Sequence, residues 1–116
     1  MELAEINITL NNFMHGWETG DFEKMFSYCQ KTWQEHHTVK GLELLLNSYK
    51  LKKYRIGKIK KTGQYSCDVE LSVVFSIFRK SHKRKLTPRL IRETGAYKPD
   101  TNGKFGVNPV SLLKGL

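Results

Sequence analysis

Residues Trp17 to Trp33, Trp-Glu-Thr-Gly-Asp-Phe-Glu-Lys-Met-Phe-Ser-Tyr-Cys-Gln-Lys-Thr-Trp, read as the end of one amphipathic helix, a tight break and a second helix. Phe22, Met25, Phe26, Cys29 and Trp33 fall at helical spacing. Gly20 is free to take φ > 0, and the Asp21 carboxylate suits an N-cap. Working upstream, Leu3, Ile6, Leu10, Phe13, Met14 and Trp17 make one helical stripe, which predicts a helix from Glu2 to Trp17. At roughly 1.5 Å per residue it is about 24 Å long, enough to cross a small sheet. Gly16 and Gly20 weaken its last turn and let the chain fold back. Downstream, the second helix runs from Asp21 to near Gln34, and Val39, Leu42, Leu45, Leu46 and Tyr49 predict a short third helix over residues 40–49.

Beyond Tyr49 the period changes to two. Tyr54 and Ile56 share one parity and Ile59 the other, with Gly57 between them where a bulge restores the phase, so residues 51–62 predict a strand. After a turn at Thr62-Gly63-Gln64 comes the cleanest alternation in the chain. Tyr65, Cys67, Val69, Leu71, Val73, Phe75 and Ile77 take one face, and Ser66, Asp68, Glu70, Ser72 and Ser76 the other. Fourteen residues at about 3.3 Å span some 45 Å, so the strand must curve. Residues 79–85 read as a polar hairpin loop and residues 86–97 as the returning strand. Residues 97–103 read as a second turn, and Phe105 and Val107 as a last strand. Asn108-Pro109 either continues that strand or caps a short terminal helix.

The 116 residues suit a single domain, 1–116, of α+β class: three N-terminal helices packed on a curved antiparallel sheet. Apolar content of 39% is sufficient for a core despite 27% charged residues. No apolar run approaches the roughly 18 residues that span a bilayer, and the first residues are acidic where a signal peptide is basic. The expectation is a soluble, cytoplasmic protein with no membrane partner. Cys29 and Cys67 lack metal-ligand spacing and read as two reduced core thiols, and no metal or other cofactor is expected.

The net charge of +9 is uneven: residues 1–49 hold three Lys/Arg against seven Asp/Glu, and residues 50–116 hold 17 against four. The asymmetry points to an anionic partner on the sheet side, or to attraction between the two halves of the chain or of a dimer.

With Phe13, Trp17, the Gly20-Asp21 break, Phe22, Met25 and Trp33, and then the long strand Tyr65 to Phe78 and its return, the chain resembles the nuclear transport factor 2-like superfamily. That superfamily has a cystatin-like α+β roll and includes SnoaL-type polyketide cyclases, ketosteroid isomerase and scytalone dehydratase. The resemblance implies a cone opening between helices and sheet, used for isomerisation, dehydration, cyclisation, ligand carriage or subunit contact. Many members pair as homodimers through the open sheet face, and the even face of the long strand, with Val74 and Phe78 among its polar residues, is the corresponding surface.

Enzymes of that superfamily place a carboxylate or histidine on the inner wall. The inward parity of the long strand has no acid, since Asp68 and Glu70 fall on the other face, and this puts isomerase or cyclase chemistry in doubt. Trp17, Tyr28, Trp33, Val73 and Phe75 are candidates to line a pocket for a small apolar ligand. Arg92 and Glu93 have opposite parity, so one of them points inward, as an anion ligand or a base, or else each is held in an ion pair. His15, His36 and His37 lack a third partner for a metal and read as solvated. Lys52, Lys53 and Arg55, then Arg79, Lys80, Lys83, Arg84 and Lys85, are candidates for binding a polyanion such as nucleic acid. The leading expectation is a non-catalytic binding or assembly module acting through its cone or its sheet face. A small enzyme on an apolar substrate and a nucleic-acid binder are the alternatives.

Overall fold

The computed structural model describes residues 2–93 and 104–116. Alternation from residue 65 onward forces a strand, β2 (Ser66–Ile77), and the sheet forms around it. It pairs antiparallel with β1 (Lys50–Lys61) along one edge. Along the other edge it pairs first with β4 (Arg89–Arg92), through Ser66 to Asp68, and then with β3 (Lys80–Leu86), through Leu71 to Ile77. A last strand, β5 (Phe105–Asn108), lies beside β4. Cys67, Val69, Leu71, Val73 and Phe75 are buried, and Glu70 and Ser72 are exposed, so the odd face of β2 carries the core as expected. Register slips between Leu51 and Lys53 and between Ile56 and Ile59, and the second is the bulge expected at Gly57.

The helices α1 (Glu2–Thr19), α2 (Phe22–Ser27), α3 (Lys31–His36) and α4 (Val39–Leu46) precede the sheet and pack on its inner face. Ile6, Leu10, Phe13, Met14 and Trp17 form the buried stripe of α1, whereas Leu3 is exposed and drops out of it. Gly20 sits at φ 75° and Asp21 accepts from the Lys24 N–H at 3.1 Å, which is the break and cap expected there. Gly16 serves close packing: a Cβ on it would lie 2.7 Å from Met25 Cγ.

Three expectations are corrected. The helix expected over residues 21–34 is two helices, because residues 28–30 leave it to pair with the last strand. The Gln30 N–H donates to the Val107 carbonyl at 3.0 Å, and the Val107 N–H to the Tyr28 carbonyl at 2.9 Å. Gly106 makes the approach possible, since a Cβ there would meet the Gln30 backbone at 2.6 Å. The loop expected over residues 79–85 is the strand β3, and the turn has shrunk to Phe78-Arg79. The return strand expected over residues 86–97 is divided at Thr87-Pro88, where β3 ends and β4 begins. A proline lacks the N–H that a continuous ladder needs.

The expected turn at residues 97–103 lies outside the described residues. Asn108 accepts from the Val110 N–H at 3.0 Å and caps α5 (Pro109–Leu113), which decides between the two readings of the C-terminal segment. Among the described residues, no helix is long and apolar enough to cross a membrane.

Candidate functional site

Alternation puts every second side chain of β2 on the outer face of the sheet, and register then decides which neighbours stand beside it. Lys53 pairs with Val74 and Val74 with Lys83, while Arg55 pairs with Ser72 and Ser72 with Lys85. Two rows therefore cross the outer face, each a cation on β1, a small side chain on β2 and a cation on β3. Strands are roughly 4.8 Å apart and alternate residues about 7 Å, so four cations stand at the corners of a rectangle about 10 Å by 7 Å. Lys53, Arg55, Lys83 and Lys85 are all exposed. Among the described residues none of the four is in an ion pair.

Between the rows runs an open groove of about 650 Å³, lined by these residues with Tyr54, Val73 and Arg84 and holding no carboxylate among the described residues. It continues past Arg55, Ser72 and Lys85 into a second hollow of about 390 Å³ bordered by Gly57, Glu70 and Thr87. Farther along, Asp68 is neutralised by Arg89, whose Nε donates to Oδ1 at 2.8 Å and Nη2 to Oδ2 at 3.2 Å. That hydrogen bond, with the carboxylate charge, raises the Arg89 pKa. Burial, with the nearby Glu18, raises that of Tyr54, whose hydroxyl reaches Asn11.

Of the other polyanion candidates, Lys52 and Arg79 border an open pocket of about 450 Å³ at the hairpin end, with Lys50, Ser76, Phe78 and Ser81. Arg84 has the opposite parity and lies over the Phe75 ring at 5.9 Å. Lys80, paired with Ile77, is exposed at the first residue of β3.

No protein-family model and no curated protein matches this sequence.

The residues expected to line a cone are mostly packed. Trp17 is buried and its Nε1–H donates to the Tyr49 carbonyl at 2.9 Å. Phe75 meets Tyr49 edge to face and stacks on His82, and Val73 is buried beside it. Trp33 stacks on His37 with ring centroids 3.9 Å apart. Tyr28 borders a polar cleft of about 360 Å³ with Glu5, Thr9, Lys31, Gln34 and Lys104.

Of the pair left open, Glu93 is the one turned inward, 2% exposed. It accepts from the Thr32 N–H at 3.1 Å and from the Thr32 hydroxyl, at the first turn of α3. With donors on both oxygens, this carboxylate is a brace between β4 and α3. Arg92 pairs with Glu5 at 3.2 Å and lies over the Phe105 ring. Both cysteines are buried and neither forms a disulfide, and burial pushes the Cys29 thiol pKa upward. His15 contacts Lys24, and among the described residues no cluster of three or more His, Cys, Asp or Glu side chains offers a metal site.

From the sequence, Val74 and Phe78 are expected only as part of a dimer face and Ser72 only as a polar residue of the even parity, and none of the three at a cationic groove. The even parity of β2 was the available signal. It lacked the strand opposite, because a run of lysines has no apolar alternation to declare it.

Proposed function

We propose that the protein is a non-catalytic binding module, built as a nuclear transport factor 2-like roll, that holds a polyanion against the outer face of its sheet. The observation that carries this reading is the pair of cross-strand rows, which brings together Lys53, Arg55, Lys83 and Lys85 with no carboxylate among them. The cations lie on β1 and β3, both hydrogen-bonded to β2, so the spacing of their Cα positions is set by the backbone. An anion with regularly repeated charges meets cations whose backbone positions are already fixed, and the ordering cost that remains is that of four long side chains. A nucleic-acid backbone is the polyanion that matches an open groove of this kind, because phosphate contacts need charge and position and no enclosing pocket.

The roll itself is supported by the helices stacked on one face of the bent sheet and by the Gly20-Asp21 break. An enzyme acting inside a cone is less favoured, since Trp17, Trp33 and Phe75 pack into the core and Glu93 is held by Thr32. A homodimer through the outer face is less favoured too. A two-fold axis there would set four cations against their own copies, and like charges face to face oppose association.

The test is fluorescence anisotropy with a labelled oligonucleotide at stepped salt, on the wild type and on a Lys53→Ala, Arg55→Ala, Lys83→Ala, Lys85→Ala variant. Four phosphate contacts give a slope of log K against log salt of about −3, so affinity falls about 50-fold between roughly 50 and 200 mM salt. The variant loses most of the binding and most of the slope. A wild type that binds neither oligonucleotide nor heparin at low salt overturns the proposal.

A further inference from the structure

Phe78 and Arg79 form the two-residue turn between β2 and β3, closed by the Ile77–Lys80 pair. Both have positive φ, 50° and 69°. That is the geometry of a type I′ hairpin, whose central positions favour Asn-Gly because side chains there are strained. A bulky residue at positive φ is an outlier, and Phe78 is also 95% exposed, so its ring gains almost nothing from burial. Lone apolar residues on a surface are ordinary. A ring held in a strained turn with no burial to offset the strain is not, and such outliers point toward a role outside folding.

The surroundings indicate which role. By register, Lys50, Ser76 and Ser81 form the next outer row beyond Lys53, Val74 and Lys83. Phe78 borders the open pocket at that row, together with Lys52 and Arg79. The ring thus stands at the end of the cationic face, with cations beside it.

We infer that Phe78 is a stacking platform for an unpaired base, and that the polyanion of this face is a single-stranded nucleic acid with its phosphates along the groove. The inference rests on the polyanion reading above and narrows it. Phosphates alone require no aromatic, and bases within a duplex have their faces covered. A base in a single strand is free to lie on the ring, and stacking of this kind is indifferent to sequence because every base has a π-face. An anionic membrane would also meet a ring flanked by cations. Membrane binding scales with buried apolar area, however, and a single ring supplies little of it.

The experiment uses the full chain as wild type, Phe78→Asn and Phe78→Trp, with three probes: a labelled oligothymidylate, an abasic deoxyribose-phosphate oligomer of equal length, and phosphatidylserine vesicles. The wild type binds the oligothymidylate more tightly than the abasic oligomer. Phe78→Asn weakens oligothymidylate binding about 10-fold, leaves abasic binding and the salt slope unchanged, and Phe78→Trp keeps the preference. Asparagine suits positive φ better than phenylalanine, so thermal melting at or above the wild-type temperature shows that the loss is not misfolding. Equal affinity for both oligomers, no effect of Phe78→Asn, or a loss confined to vesicles overturns the stacking role. If both oligomers bind with a steep salt slope, that failure leaves the polyanion reading standing. If the wild type binds neither at low salt, both fall.

Discussion

At the scale of single residues, the hairpin tip sets stability against the proposed function. Two side chains at positive φ cost about 1 kcal/mol each against residues that tolerate it. Phe78→Asn with Arg79→Gly therefore raises stability by about 1–2 kcal/mol, read as a melting temperature about 4–8 °C higher by circular dichroism. Gly16 behaves in the opposite way. Gly16→Ala places a methyl 2.7 Å from Met25 Cγ and 2.9 Å from the Asp21 carbonyl, and overpacking of that kind costs about 1–3 kcal/mol in denaturant unfolding. The break at Gly20-Asp21 was legible in the sequence because φ > 0 and N-capping are local demands. The role of Gly16 was not, because what it accommodates is Met25 on the next helix. Cys29 adds a pH effect. Burial raises its pKa above the ordinary 9.0, so the folded state keeps the proton while the unfolded state loses it. Stability is fully present below pH 9 and declines as pH rises beyond it. Alkaline denaturation midpoints show that decline, and Cys29→Ala lessens it.

At the scale of elements, β3 matters most. Lys80 to Lys85 is polar at every position, and nothing in it alternates between apolar and polar. It is a strand because β2 is longer than β4 and leaves its second half with an open edge that needs a partner. Lysines suit such an edge, since they discourage pairing with a further chain. Hydrogen exchange tests the element: β3 amides that face β2 exchange slowly, and free-loop rates across residues 80–85 would remove one wall of the groove. Residues 28–30 teach the same lesson from the other side. Cys29 and Trp33 keep helical spacing across a stretch that is not helical, because the backbone there bonds to Val107, far away in sequence. Periodicity reports which side chains are buried; it does not report where the N–H and C=O groups find partners.

At the scale of the whole molecule, the charge division follows the layers: acidic helices on one side of the sheet, and outward cations on β1 and β3 that flank β2 on the other. If the outer face is the polyanion site, a fifth cation at its centre strengthens it. Ser72→Arg, exposed between Arg55 and Lys85, raises oligonucleotide affinity and steepens the salt slope by about 0.7. Light scattering on the same variant speaks to the alternative, since a wild-type dimer that Ser72→Arg dissociates would assign the face to a second copy. By itself the sequence determined the α+β class, the buried face of β2, the break at Gly20-Asp21 and the existence of a basic half. Each of these follows from local conformational preference or from the period of burial. Only the tertiary structure decided that Lys53 and Arg55 share a face with Lys83 and Lys85, that Arg84 does not, and that Glu93 rather than Arg92 turns inward. Those outcomes depend on strand register and on partners distant along the chain, and no local pattern carries that information.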